Sequence, residues 1–322
     1  MKNFKGVLAV KKLFQLFIIA VAAMVVSACS LEQGGGSTEK SSDQNSGEKE
    51  GTQKIGLSIS TLNNPFFVTL RDGAEAKAKE LGLEITTVDA QNDPAKQVSD
   101  IEDLIQQGVD ILLVNPADSA AVASAIESAN NADIPVITVD RSAEGGEVVT
   151  HIASDNAAGG KMAGEFIIEQ LGGSGKVVEL EGIPGSSAAR ERGQGFNDAV
   201  GAAEGFEVAA KQAANFDRAE GLTVMENIIQ STSDFGAVFA HNDEMALGAV
   251  QALAAAGMED VIVVGFDATD DAVKAVEDEK MAATVAQKPD LMGEQAVDAA
   301  SKVLAGEELE EFIPVELELI KK

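Results

Sequence analysis

The chain has 322 residues, 45% of them hydrophobic, and a formal charge of −29; that is apolar material for two ordinary domains of roughly 100–200 residues each. So acidic a surface argues against nucleic acid and against anionic lipid as partners. One cysteine, two histidines far apart, and no tryptophan or tyrosine argue against disulfides, a thiol nucleophile and a metal site, and no cofactor is expected.

Lys2, Lys5, Lys11 and Lys12 precede an apolar run from Leu13 to Val26, broken only by Gln15. The run exits through Ser27 and Ala28 onto Cys29. A basic start, a short apolar core and a small-residue exit make a secretory signal, too short to span a bilayer. Its ending resembles a lipobox, so residues 1–28 are expected to be a lipoprotein signal peptide and Cys29 the lipidated first residue of the mature protein. Residues 29–53 continue as a polar tether with almost nothing to bury, expected to stay disordered. As a flexible coil its 24 residues after Cys29 reach about 25–30 Å. The body would then work outside the cell, meeting the membrane only through the lipid.

From residue 54 the chain alternates strand and helix. Apolar runs predict strands at Ile55–Ser60, Leu83–Asp89, Ile111–Asn115, Pro135–Asp140 and Val148–Ala153, then at Lys176–Glu181, Phe206–Ala210, Ala237–Ala240, Val261–Phe266 and Met281–Ala286. Helical spacing falls between them at Phe67–Leu81, Gln97–Gln107, Ala120–Asn130, Lys161–Leu171, Gly221–Gln230 and Glu244–Ala256. Near-continuous Val/Ile/Leu strands separated by helices mean parallel sheets covered on both faces. Ten such strands suit two doubly wound α/β units better than one sheet, with the seam near Ala153–Asn156.

In open α/β sheets ligands bind beyond the carboxyl ends of the strands. Those ends carry Asn64, Phe66, Phe67, Asn115, Asp140, Arg141, Asn242 and Asp267. Asn and Asp also cap helices and turns, the reading preferred for Asp118, Ser119, Asp155 and Asp243. A strand-end Arg beside an Asp, and two adjacent aromatics in a loop, suit a cleft for a polar ring. A sugar presents apolar C–H faces, which aromatic rings cover, and a hydroxyl rim, which planar Asp, Asn, Gln and Arg satisfy.

Collinear segments carry a resemblance across residues 54–322. They include Ser60-Thr61-Leu62-Asn63-Asn64-Pro65-Phe66-Phe67, Asn115-Pro116-Ala117-Asp118-Ser119, Val139-Asp140-Arg141 and Ser187-Ala188-Ala189-Arg190-Glu191-Arg192-Gly193. Asn215-Phe216-Asp217-Arg218, Asn242-Asp243-Glu244-Met245, Val264-Gly265-Phe266-Asp267 and Thr284-Val285-Ala286-Gln287 continue it. The whole resembles the bacterial ribose-binding proteins, of the periplasmic-binding-protein class. The resemblance implies a type I fold, two doubly wound parallel-sheet lobes joined by three hinge crossings. It divides the body into 54–154 plus 288–315 and 155–287 plus 316–322, the C-terminal strand going to the second lobe. It places sugar contacts on Asn64, Phe66, Phe67, Asn115, Asp140, Arg141, Arg192, Phe216, Asn242, Asp267 and Gln287. Read as residues alone, Phe216 also suits a core and Arg190 also suits the cleft. Two residues depart from the pattern: His241, where Gln is expected, and Lys288, where an apolar residue is expected. Both should point away from the cleft, and they bear on pH response or hinge stiffness.

The implied function is capture of a monosaccharide, D-ribose first, for an ABC-transporter permease, with a chemoreceptor as a further partner and a monomeric state. Allose, galactose, xylose or a furanose signal molecule are the alternative ligands. Arg71-Asp72 and Arg218–Glu220 are either docking surface or solvated helix faces. A glycoside-processing enzyme using Asp140 and Asp267 as an acid/base pair is the rival class; Arg141 beside Asp140 argues against it. No Gly-x-Ser-x-Gly, phosphate loop or calcium loop is present.

Overall fold

The computed structural model describes residues 52–322; the expected signal peptide, Cys29 and nearly all of the expected tether lie outside the described residues. The first half runs β1 (Lys54–Ile59), α1 (Pro65–Leu81), β2 (Glu84–Asp89), α2 (Pro94–Gln106), β3 (Ile111–Val114), α3 (Ala123–Asn131), β4 (Val136–Val139) and β5 (Thr150–Ala153). The second runs α4 (Asn156–Leu171), β6 (Gly175–Glu181), α5 (Ser187–Ala202), β7 (Phe206–Ala213), α6 (Arg218–Ser231), β8 (Ala237–Ala240), α7 (Asp243–Ala255), β9 (Ile262–Asp267), α8 (Asp270–Glu277) and β10 (Ala283–Ala286). α9 (Pro289–Leu304), β11 (Phe312–Pro314) and β12 (Glu318–Lys321) close the chain.

The strands form two sheets, ordered β11-β5-β4-β3-β1-β2 and β12-β10-β9-β8-β6-β7. Every pairing is parallel except β12 on β10. Strands β3, β4 and β8 are buried along their whole length, because helices cover both faces of each sheet. Each lobe therefore has a core on either side of its sheet. Strand order reverses between β1 and β3 in one lobe and between β6 and β8 in the other, which opens a crevice at the carboxyl ends of both sheets.

The chain passes between the lobes after β5, after β10 and after β11. Helix α9 returns to pack on α1, and β12 pairs with β10 of the second sheet. At the second and third passages Lys288 reaches Glu316, with Nζ 3.7 Å from the carboxylate. Four elements were not read from the sequence: α5, whose Gly193, Gly195 and Gly201 break up its apolar spacing; α8 and α9; and the three-residue β11, too short to show alternation.

Three helix pairs touch backbone to backbone. A Cβ on Gly73 or Gly293 would strike α9 or α1, one on Gly160 or Gly195 would strike α5 or α4, and one on Gly248 would strike α6. These contacts set how the helices lie on the sheets, and through α4 and α5 they reach the cleft.

Candidate functional site

In the first lobe Asn64 caps α1, its Oδ1 accepting from Phe66 N at 2.9 Å, with Pro65 at the first helical position. That cap turns Phe66 and Phe67 into the crevice as an edge-to-face pair, centroids 5.1 Å apart. Asp140 follows β4 with φ 65°, and Arg141 lies beside it, Nε 3.7 Å from Asp140 Oδ2. Arg141 Nη1 donates to the Pro116 carbonyl at 3.1 Å. Its guanidinium sits between two rings, 5.0 Å from Phe67 and 5.2 Å from Phe216.

The second lobe answers with Arg192, Phe216, Asn242, Asp267 and Gln287. Arg192 donates through Nε to Asn156 Oδ1 at 2.8 Å and through Nη1 to the His241 carbonyl at 2.6 Å. It stacks 3.8 Å over the Phe266 ring, and Nη1 stands 3.6 Å from Asp267 Oδ1. Gln287 Nε2 donates to the same Asp267 oxygen at 2.9 Å. Asn242 caps α7 and donates to the Phe216 carbonyl at 3.2 Å.

Ten of the eleven expected residues line one cavity, and Ala188 joins them. Asn115 stands one step behind: its Oδ1 accepts from Ser60 N, and its Nδ2 donates to Val139 O and to Asp140 Oδ2. Of the two arginines of α5, Arg192 lines the cavity, and Arg190 pairs with Glu144. Ala188 went unread, since a small residue at a helix start carries no chemical signal. His241 and Lys288 line no part of the cavity.

Two buried carboxylates face two buried guanidiniums in the cavity. Burial raises the pKa of Asp140 and pushes Asp267 up to about 7, against the pull of their arginines. Burial likewise brings Arg141 down to about 10 and lowers Arg192. Among the described residues nothing hydrogen-bonds Arg141 Nε or Gln287 Oε1, both buried; such groups call for a partner. Asp140, Phe216 and Asp267 also hold positive φ, at 65°, 61° and 115°, backbone strain of the kind kept at ligand sites.

The lobes meet beside the cavity. Ser119 N donates to Gly185 O at 3.0 Å, Ser187 N to Ser119 Oγ at 3.2 Å, and Ser142 N to Ser187 Oγ at 2.9 Å. Ser119 is thus a bridge between lobes and not a local cap, because its hydroxyl is met by the opposing helix start. Asp118 and Asp155 do cap locally. Asp243 does not: Asn242 takes the cap, and buried Asp243 accepts from Thr269 and Thr284 instead. Arg71 pairs with Asp72, and Arg218 forks onto Glu244 and Asp271.

The sequence profile described as periplasmic binding protein domain matches residues 55–308. The chain belongs to this periplasmic binding protein family. Its relatives include the ribose import binding protein of Bacillus subtilis, 52% identical over 94% of this chain and 96% of that one. The ribose import binding protein of Haemophilus influenzae is 57% identical, over 83% and 91%. Among solved structures, an ABC transporter solute binding protein from Bacillus halodurans with bound myo-inositol superposes with a TM-score of 0.80. That structure is 34% identical and covers 84% of this chain and 95% of its own. Membership in the periplasmic binding protein family makes the chain a binding protein and not an enzyme. The fold is the family's two-lobed α/β architecture, as the resemblance implied.

Proposed function

We propose that this protein captures a neutral monosaccharide, D-ribose first, between its lobes and delivers it to an ABC-transporter permease. Lipid on Cys29 would hold it at the outer face of the cell membrane, a reading supported by the signal-like head and its single cysteine. The observation that carries the ligand reading is the cavity's balance: two carboxylates and two guanidiniums, none in excess, under Phe67 and Phe216. A charged ligand would unbalance that set, whereas hydroxyls can donate to the carboxylates and accept from the guanidiniums in charge-assisted bonds. Such bonds stabilise the ionised carboxylates that burial disfavours. Two relatives above half identity are named for ribose import, which supports ribose over other sugars. We assign residues 54–154 with 288–315 to one closing lobe and 155–287 with 316–322 to the other.

Calorimetric titration of the purified chain against a panel of aldoses tests this. At one hundred times the dissociation constant a single site stabilises by about 2.7 kcal/mol, a rise in Tm of roughly 5–11 °C at 2–4 °C per kcal/mol. One-to-one binding of ribose is the expected result. A response only to another sugar moves the specificity, and silence across the panel overturns the sugar reading.

Closure itself should be measurable away from the ligand. Ser187→Ala removes a hydroxyl that accepts across the lobes, from a residue that does not itself line the cavity. At roughly 0.5–1.5 kcal/mol for one such bond, sugar release in stopped flow should quicken about twofold to tenfold, with capture little changed. An unaltered release rate would remove the rim contacts from the closing mechanism.

A further inference from the structure

We infer that His241, a residue outside the cavity, positions the sugar-gripping groups of the second lobe by tying three of their supports together. The inference rests on the sugar reading above and deepens it. His241 follows β8, is fully buried, and turns its ring away from the cavity into the lobe. A backbone N–H can only donate, so the bond from Gly182 N, at 3.2 Å, makes Nδ1 the acceptor. The ring proton therefore sits on Nε2, which donates to buried Glu179 Oε1 at 3.0 Å. Glu179 is in turn held by Asn197 Nδ2 at 2.9 and 3.1 Å, with Lys211 Nζ 3.8 Å away.

The Glu179 tie anchors the ring within the lobe, and the other supports reach cavity residues. The main-chain carbonyl of His241, which the anchored ring holds in register, takes the 2.6 Å bond from Arg192 Nη1 and so fixes one arm of that guanidinium. Gly182, held by Nδ1, is the flat seat of the Phe216 ring: a Cβ there would lie 2.1 Å from Phe216 Cζ. The next residue, Asn242, donates to the Phe216 carbonyl. The ring edge also fills the gap beside Gly193, one residue from Arg192. Burial lowers the imidazole pKa, which keeps Nδ1 free to accept. A positioning residue of this kind acts on affinity by holding its neighbours in the gripping geometry.

The test pairs binding with spectroscopy. His241→Ala should lose D-ribose affinity about tenfold or more in calorimetry, at a temperature where the unliganded variant is folded. His241→Asn, which returns an acceptor near Nδ1, and His241→Gln, which returns a donor near Nε2, should each recover part of the loss. With two histidines in the chain, nitrogen-detected NMR of the imidazoles should show the His241 proton on Nε2 alone at neutral pH. Wild-type affinity in His241→Ala, with or without a lower Tm, overturns the positioning role while leaving the sugar reading intact. So does a proton on Nδ1. If His241→Ala does not fold, the Asn and Gln variants decide: affinities equal to wild type overturn the role. If the wild type binds no aldose, the sugar reading falls. The tautomer, with the Arg192 side-chain signals in wild type and His241→Gln, then upholds or overturns the positioning on its own.

Discussion

Arg141→Ala will lose sugar affinity by about 30- to 4000-fold, the consequence of removing one partner from a buried charge pair at roughly 2–5 kcal/mol. Arg141 is 3% exposed and serves three surfaces at once: the Asp140 carboxylate, the Phe67 face and the Phe216 face. Without it Asp140, whose pKa burial already raises, loses its nearest cation. The carboxylate then tends to take up a proton and becomes a poorer acceptor for a hydroxyl. Arg141→Lys restores charge but not the planar fork or the stacking, and should recover only a small part of the loss. Asp140→Asn should be comparably damaging from the other side, since it leaves two guanidiniums facing one carboxylate. Asn115→Ala, one step behind, should cost less. The unliganded variants should also melt below wild type, because removing one partner of a buried pair leaves an uncompensated charge in the interior. Calorimetry decides it: an Arg141→Ala variant within threefold of wild type would mean the cavity is not the sugar site.

How much of this was readable beforehand follows from where each signal is stored. The inner strands announced themselves because burial on both faces makes them continuous apolar runs, and the ligand-side residues because they stand at the ends of those runs. Helix α5 stayed hidden because its contact face is built from glycines, which carry no hydrophobic signal. The choice between Arg190 and Arg192 could not be made from the residues alone. Two positions along a helix turn a side chain by about 200°, and only the docking of α5 tells which one faces inward. Asp243 misled as a cap because Asn242 next to it is equally suited and took the role. Ser119 misled because its partners, Gly185 and Ser187, lie in the other lobe, 68 residues away in the case of Ser187. The support of Asp140 by Asn115, and of Arg192 by His241, belongs to the same class: contacts between strand ends that only the assembled sheet brings together.

One substitution made twice in the same helix should move stability in opposite directions. Gly195→Ala and Gly201→Ala both lie in α5. A Cβ on Gly195 would stand 1.9 Å from the Ala157 carbonyl oxygen and 2.9 Å from Lys161 N, backbone atoms of α4 that no rotamer change can clear. A Cβ on Gly201 meets nothing within 4 Å. Overpacking of a fixed contact costs about 1–3 kcal/mol and sometimes more, so Gly195→Ala should lower Tm by roughly 2–12 °C at 2–4 °C per kcal/mol. Gly201→Ala should instead gain about 0.4–1 kcal/mol by restricting the unfolded chain. Scanning calorimetry of the two variants checks the signs, and equal shifts would sink the close-contact account. The effect also reaches the cavity. Ala157 adjoins Asn156, which accepts from Arg192 Nε, and the facing Gly160 has its would-be Cβ 2.0 Å from the Arg192 carbonyl oxygen. Pushing α4 off α5 therefore moves the arginine that meets Asp267, so Gly195→Ala and Gly160→Ala should lose sugar affinity along with stability. Gly201→Ala, with no neighbour to displace, should leave affinity unchanged.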